Sequence, residues 1–539
     1  MNMRKYYHLL ILRRSKGLFI SHRNNVHQTS HVDSHSLTRR PQPPPSQVLR
    51  PLSSYAHMSI TKYIRNANRN FNHSQSSTIH TSPLNEYDSS LDYQVTVKVR
   101  EVISATVTQG NQPRHSLSNL DLLLPPIEAG VYFCYKKKDN TNMSPETVVK
   151  TMRKSLAGVL STFYPLAGEI VPNSLGEPEV VCNNSGVEFV HAHADVELKD
   201  LDFYQPDQSV RGKLVPNISY GLLSVQATEL KCGSIIISCA FNHQLTDGYS
   251  LNMFLVAWAK YAKSKTISNI PSFQSPILNP RHAPHYESSI DDLYIPISSL
   301  PPSSIEEPLD SRMYYVRAES IQRIQSEAST KENKRSKLLS FTAYLWKLLA
   351  DGGADAANTT SRMGIVVNGR RFLTKNNVKN TYSLENHYGN VLSIPYGVAT
   401  NNDLKEMPLH EVANRVHRFL GEAANEEHFR GLIDWVELHR PTPAVARIYF
   451  GHEKVEGGGV VVSSGQGLPI KDMDFGWGKP EFGSYHVPWG SRTGYITTMP
   501  SASRNGDWVV YMHLKQKELH VIDRMAPNVF TPISSATFF

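Results

Sequence analysis

The sequence predicts a mixed α/β protein made of two α/β halves that face one another. Two observations lead there. Short strand-like segments interleave with amphipathic helical segments on both sides of residue 300, the texture of layered sheets and helices. Between the two runs, from about 268 to 308, the chain turns dense in Pro and Ser and loses all periodicity, as expected of a long crossover between domains. The length of 539 residues, with 40% hydrophobic and 19% charged, suits a soluble protein of two domains or more. No apolar run approaches the roughly 18–20 residues that span a bilayer.

Four segments divide the chain: a leader at 1–92, a first half at 93–267, the crossover at 268–308 and a second half at 309–539. The leader is rich in Arg, Ser, His and Asn, almost lacks acid, and contains "PQPPPS", a polyproline-like stretch. It has little to bury, so disorder is expected. Its composition fits an organelle transit peptide or an extension foreign to the native protein, and the body is expected in the cytoplasm.

Order is expected from Tyr93, where "YQVTVKVREVISATV" alternates like a strand. Val148, Met152, Leu156, Val159, Leu160 and Phe163 recur at helical spacing, predicting a helix that ends before Pro165. "EPEVVCNNSGVEFVHAHADVEL" reads as a hairpin turning at "NNSG". "LLSVQATELKCGSIIISCAFNH" predicts two strands around "KCG", the second apolar enough for burial on both faces. A helix follows, with Leu251, Phe254, Leu255 and Trp258 on one face. In the second half "SRMYYVRAES", "MGIVVNGRRF", "VVVSSG" and "DWVVYMHL" read as strands. "IQRIQSEAS", "SKLLSFTAYLWKLLAD", "LHEVANRVHRFLGEAA" and "KELHVIDRM" read as helices.

Charge argues against nucleic acid as a partner. The net +8 is carried by residues 1–85, where twelve Lys/Arg meet the single acidic Asp33 for a net of +11. The remainder holds 44 basic and 47 acidic residues, a net of −3, so the body has no basic footprint. The cysteines Cys134, Cys182, Cys232 and Cys239 form no paired motif, which points away from a zinc knuckle or a disulfide framework. No metal-ligand cluster and no phosphate-cradling glycine loop is apparent in the sequence.

Two histidines share a His-x-x-x-Asp spacing, and context separates them. His191 and Asp195 lie in strand sequence, on one face and about 13 Å apart, too far to act on one centre. They read as surface or edge residues. His243 instead follows the doubly buried strand and starts a short turn that closes at Gly248 and launches a helix. Such a turn presents side chains at a sheet's end, a usual place for active sites. It lets His243 face a cleft while Asp247 ties back to the body, and Gly248 allows special backbone angles or close approach. The plainer alternative makes Asp247 a helix cap and His243 an ordinary turn residue.

"HQLTDG" (His243–Gly248) resembles the His-x-x-x-Asp-Gly motif of the plant BAHD acyltransferases. "DFGWGKP" (Asp474–Pro480) matches the family's second signature near the C-terminus. "LSNLDL" (Leu117–Leu122), "FYPLAGE" (Phe163–Glu169) and "YGN" (Tyr388–Asn390) agree in order and separation. The resemblance runs from about Tyr93 to the C-terminus and leaves the leader without counterpart. It implies two chloramphenicol-acetyltransferase-like domains with an interdomain tunnel. An acyl-CoA co-substrate enters from one face and a small alcohol or amine from the other, with no permanently bound cofactor and a monomeric chain.

By the same resemblance His243 is the general base, and no acyl-enzyme forms. Asp247 is structural and pairs with an arginine, Arg370 here, with Arg371 as the alternative. Asp474 belongs with His243 among the residues activity depends on, yet is implied to sit far from it. Its loop, with Gly476, Trp477 and Gly478, holds the CoA-side structure. Ser340 falls in a region that often lines the CoA channel, though a buried helix serine is the competing reading. Where the family often shows Thr-Ser-Trp, this chain has Ser463, Ser464 and Gly465. Ser463 keeps a hydroxyl that can donate to a developing oxyanion. The missing Trp implies a differently shaped acceptor pocket. With "FGSYHVPWG" after the signature, the chain looks like the branch acting on coniferyl-type alcohols, and the hydroxycinnamoyl-to-shikimate branch is the nearest competitor. Two rivals remain: a non-catalytic relative that binds CoA esters, and a carrier-dependent condensation domain. The latter usually places a second His before the first, where this chain has Asn242.

Overall fold

The computed structural model describes residues 93–108, 113–137, 144–300, 308–352, 359–373, 375–377, 380–449, 458–488, 493–503 and 505–539. The leader at 1–92 and part of the crossover lie outside them.

Besides a small three-stranded sheet of Arg114–Ser116, Glu169–Pro172 and Pro178–Val181, the strands of the first half are β1 (Val95–Ile103), β2 (Glu128–Tyr135), β3 (Val187–Ala194), β4 (Leu223–Leu230) and β5 (Ile235–Asn242). Helix α1 (Pro145–Val159) falls between β2 and β3, and α2 (Gly248–Ser264) follows β5. The second half holds β6 (Leu309–Val316), α3 (Ala318–Glu327), α4 (Lys337–Gly352), β7 (Thr360–Ile365) and β8 (Tyr396–Thr400). It continues with α5 (Leu409–Ala423), α6 (Glu426–His439), β9 (Gly459–Ser464), β10 (Phe482–His486) and β11 (Gly494–Pro500). It closes with β12 (Trp508–Lys515), α7 (Gln516–Met525) and β13 (Thr531–Pro532).

These strands build two mixed sheets. One runs β1-β3-β4-β5-β2-β10 and the other β8-β7-β9-β11-β12-β6-β13. Helices α1 and α2 cover one face of the first sheet. Phe254, Leu255 and Trp258 of α2 are buried there, each contributing about 1.5–3 kcal/mol of apolar burial, and the Trp258 indole donates to Ser155 Oγ of α1 at 2.9 Å. The other face of β2 and β10 meets the second sheet: the Tyr132 hydroxyl lies against Met313 Sδ, and Ser484 against Met313 and Met499. The far face of the second sheet packs Tyr314, Val510 and Met512 with Phe341 and Trp346 of α4. The molecule is therefore layered as helices, sheet, sheet, helices.

Four local expectations change. The "NNSG" hairpin does not form. Pro178–Val181 pairs with Arg114–Ser116 and Glu169–Pro172, whereas β3 pairs with β1 and β4. Left-handed backbone at Asn184 and Gly186 sends the chain from one sheet to another instead of back on itself. His191 is on an interior strand, half-buried between β1 and β4, not at an edge. The apolar "EAGVYFCY" is β2, at the heart of the first sheet, and α6 is a further helix; neither was anticipated. Finally, β10 lies in the second half of the chain yet completes the first sheet, pairing Phe482 with Cys134 and His486 with Gly130. Local periodicity carries no information on such long-range pairing.

Candidate active site

Burial along all of β5 but its last residue carries the chain to the sheet's end, where His243 begins the turn into α2. The His243 amide donates to Ile127 O at 2.9 Å, fixing the turn to the start of β2. Asp247 is the N-cap of α2, and its Oδ1 accepts from Ser250 N at 2.8 Å. Gly248 needs neither role expected of it. It is the first helical residue with no left-handed backbone, and an added Cβ would meet nothing closer than the Tyr485 hydroxyl at 3.9 Å.

Asp247 is more than a cap. Arg370 donates through Nη1 to Oδ2 at 2.7 Å and through Nη2 to Oδ1 at 3.2 Å, a two-pronged pair. Its Nη2 also donates to Ser250 Oγ and to the carbonyls of Gly389 and His387, and its guanidinium lies 4.4 Å above the Tyr249 ring. Asp247 is 1% exposed and Arg370 5%. Burial alone would raise the Asp247 carboxyl, but the Arg370 charge and the donors around it outweigh this and hold it below the usual range. Arg371 is exposed and stacks on Phe372, so Arg370 is the partner.

The His243 ring is half-buried, with Nδ1 sealed and lacking a hydrogen-bond partner. Burial pushes its pKa below the ordinary 6.5, and the Asp247 charge offsets this only in part. The imidazole is thus neutral near pH 7, the form that accepts a proton.

Asp474 is placed elsewhere. Its Oδ1 accepts from Gly476 N at 2.9 Å and Gly478 N at 3.0 Å, and its Oδ2 from Lys263 Nζ at 2.7 Å. Lys263 lies in the last turn of α2, so Asp474 sits at the opposite end of that helix from Asp247, about 24 Å along its axis. That distance removes Asp474 from the reacting centre and makes it a structural residue. Gly476 and Gly478 have φ of +117° and +109° with open space around them, so backbone conformation, not crowding, calls for glycine. Trp477 and Phe475 stack at 5.4 Å; Phe475 meets Trp258 of α2 at 4.9 Å, and Trp477 meets Tyr135 of β2 at 6.2 Å. The signature loop therefore clamps the second half of the chain onto the first sheet, just before β10 joins it.

Two serines differ in fate. Ser340 is fully buried and donates to Ser336 O at 2.9 Å, one helical turn back; it is a core helix serine, not a CoA contact. Ser463 is half-buried on β9, beside Thr497 of β11. At Gly465 an added Cβ would lie 2.7 Å from Thr497 Cγ2, 2.9 Å from Met499 Cγ and 3.0 Å from Thr498 O. No tryptophan fits there, because β11 fills the space.

Several residues that hold the site were quoted only as parts of matching stretches. Asp121 belongs to "LSNLDL", and Tyr388 and Asn390 to "YGN". Tyr388 shares a hydrogen bond with Thr246 at 3.0 Å, and the Val391 amide donates to Asp247 Oδ2 at 3.3 Å. Two clefts lie nearby. One of about 500 Å³ runs between α2 (Tyr249, Asn252, Lys260) and the loop Gln466–Asp472; another of about 800 Å³ is lined by His115, Tyr164, Tyr261 and Phe273. Neither is lined by His243.

Comparison with known proteins decides the kinship. The family model described as Transferase family matches residues 93–527, most of the chain. The chain belongs to the Transferase family. The BAHD resemblance read from the motifs stands, and the protein is an acyltransferase. Among members of the family, shikimate O-hydroxycinnamoyltransferase from Nicotiana tabacum is 24% identical over 425 residues, covering 76% of this chain and 93% of its own. Anthranilate N-benzoyltransferase protein 1 from Dianthus caryophyllus is 27% identical over 388 residues, covering 68% and 85%. In structure the chain is similar to vinorine synthase, with TM-score 0.61, 22% identity and coverage of 81% and 99%. It is also similar to F. graminearum TRI101 complexed with coenzyme A and T-2 mycotoxin, with TM-score 0.63, 14% identity and coverage of 78% and 99%. The fold shared with these family structures is the two-domain, chloramphenicol-acetyltransferase-like α/β fold. Among the described residues no helix is long and apolar enough to cross a membrane.

Proposed function

We propose that this protein transfers an acyl group from an acyl-CoA thioester to the hydroxyl of a small alcohol, with His243 as general base. The observation that carries the reading is a half-buried imidazole, its pKa lowered by burial, at the end of β5, on a turn anchored by the buried Asp247–Arg370 pair. With Nδ1 sealed, Nε2 is the nitrogen left to take the acceptor's proton. The freed oxygen attacks the thioester carbonyl, the tetrahedral intermediate collapses, and the CoA sulfur leaves with the proton returned by His243. General base assistance is typically worth about 10²–10⁴ in rate. Alignment of the two substrates supplies much of the rest. No acyl-enzyme is required, and His243 serves as base and then as acid. The Ser463 hydroxyl is the candidate donor to the oxyanion, while Asp247, Arg370 and the Asp474 loop keep the framework in place.

Binding of CoA by a structural relative, and acyl-CoA chemistry in the name of a hydroxycinnamoyl-CoA transferase from Avena sativa, support acyl-CoA as co-substrate. For the acceptor we favour a phenylpropanoid alcohol of the coniferyl type, with the shikimate or quinate type next. What supports this is the Ser463-Ser464-Gly465 segment, where the space of a Trp side chain is taken by Thr497 and Met499. The test is a screen of acyl-CoAs against phenylpropanoid alcohols, shikimate and amines, following free CoA thiol. Release with an alcohol bears the reading out. Release with amines alone replaces it, and the absence of release with every acceptor favours a non-catalytic binder of CoA esters.

A further inference from the structure

Two stretches quoted for their family likeness, "LSNLDL" and "YGN", have no role in the chemistry above. Their polar residues meet beneath the His243 turn. Asn390, from the second half of the chain, is 0% exposed, and its side-chain Nδ2 faces three oxygens: His243 O at 3.0 Å, Gln244 O at 3.0 Å and Asp121 Oδ1 at 2.9 Å. Three acceptors set the orientation of the amide, since its oxygen turned that way would face them without a proton. Asp121, from the first half, is 3% exposed and takes the Asn390 backbone amide at 2.6 Å as well as the side chain. It is held in turn by the Ser118 amide at 2.9 Å and hydroxyl at 2.7 Å. Gly389 permits this approach: its φ is +153°, and an added Cβ would come within 2.9 Å of His387 Nε2 and 3.3 Å of Asp121 Oδ1.

The turn is thus pinned on both sides of the histidine. Its amide is tied to β2 through Ile127, and its carbonyl, with the next one, is tied to Asn390. Burial pushes the Asp121 carboxyl up to about 6 even against the pull of its four donors.

We propose that Asp121 and Asn390 are positioning residues that set the imidazole of His243 against the acceptor hydroxyl. This rests on the general-base reading. A histidine whose turn loosens misplaces Nε2, and a displacement of about 1 Å can cost on the order of 10²-fold in rate. The loss should fall on proton removal and not on substrate binding, because neither side chain opens to solvent.

The experiment compares the full chain with H243A, N390A, N390S and D121N. Each is assayed with one aliphatic alcohol and with the matching thiol, product ester and thioester being quantified by chromatography. The thiol ionises in water without help far more readily than the alcohol, so it needs the base less. H243A should lose far more rate with alcohol than with thiol; equal turnover with alcohol would sink the general-base reading itself. Given that loss, N390A should lower kcat with alcohol about 10²-fold, lower it much less with thiol, and move either KM by less than about threefold. D121N should do the same about 10-fold, and N390S, which keeps one donor, should fall between. If N390A fails to fold, N390S and D121N carry the test. Wild-type kcat in these variants, or equal losses with alcohol and thiol, overturns the proposal.

Discussion

The two ends of α2 carry the two signature carboxylates, and the contrast between them shows what each motif is for. At the N-terminal end Asp247 and Arg370 are both buried, locked in a two-pronged pair and surrounded by further donors. At the C-terminal end Asp474 meets Lys263 in a pair whose side chains are 22% and 58% exposed. Formally both are ion pairs. Physically the first cannot lose a partner without leaving a charge sealed in protein, which costs about 3–5 kcal/mol. The second is screened by water and, as a pair, is worth about 0–1 kcal/mol. What Asp474 contributes beyond that pair is the cage it forms with the Gly476 and Gly478 amides.

The largest effect expected lies at the N-terminal end. His243→Ala should lower kcat by about 10²–10⁴-fold while leaving the melting temperature near that of the parent, since a half-buried ring outside the core is removed. Turnover close to the parent's would break the comparison, because neither end of α2 would then hold the chemistry. Next come Asp247→Ala and Arg370→Ala. Each should destabilise the fold by about 3–5 kcal/mol in denaturant titrations, and the double variant by much less than the sum. Additive losses would mean that the two side chains do not act as a pair.

The asymmetry continues at the other end. Gly476→Ala and Gly478→Ala introduce a Cβ at positive φ where no neighbour is near, so strain alone should act, at about 1–3 kcal/mol each. Lys263→Ala should cost no more than about 1 kcal/mol and leave kcat unchanged at 0.15 M salt. A loss as large as that of Arg370→Ala would erase the distinction drawn here between the two carboxylates.

How much of this was legible beforehand follows from how far apart the contacting residues lie. The His243 turn stood out because a fully apolar strand, a short polar turn and an amphipathic helix are local features. The pairing of Arg370 with Asp247, 123 positions apart, came from family resemblance and not from pattern. Asp121 and Asn390 are separated by 269 positions, and neither is unusual in its own segment, so only the fold brings them together under the histidine. The same limit hid β10, whose five residues give no hint that they complete a sheet begun at Val95. The misread hairpin shows the opposite failure. "NNSG" is a good turn signal, but a turn fixes a change of direction and not the partner strand.

The smallest expected effect is a shift in pH dependence, and it separates the two ends once more. Because burial lowers the His243 pKa, a larger fraction of enzyme holds the neutral base at pH 6 than a free histidine would. The acid limb of kcat/KM, which reports the free enzyme, should therefore have its midpoint below 6.5, and it should stay there in D121N, which removes the carboxyl that titrates at about 6 beneath the turn. Asp247 is also held below its ordinary range, so its stabilising charge is fully present above the unfolded carboxylate pKa and fades only as pH falls through the lower folded value. Below pH 6.5 activity should then decline while that pair stays intact, and melting temperature should fall less steeply than rate. An acid limb centred at or above 6.5 would mean that the imidazole is solvated like a surface histidine, and the turn at 243 would lose the feature that sets it apart from the half-buried carboxylate at the far end of α2.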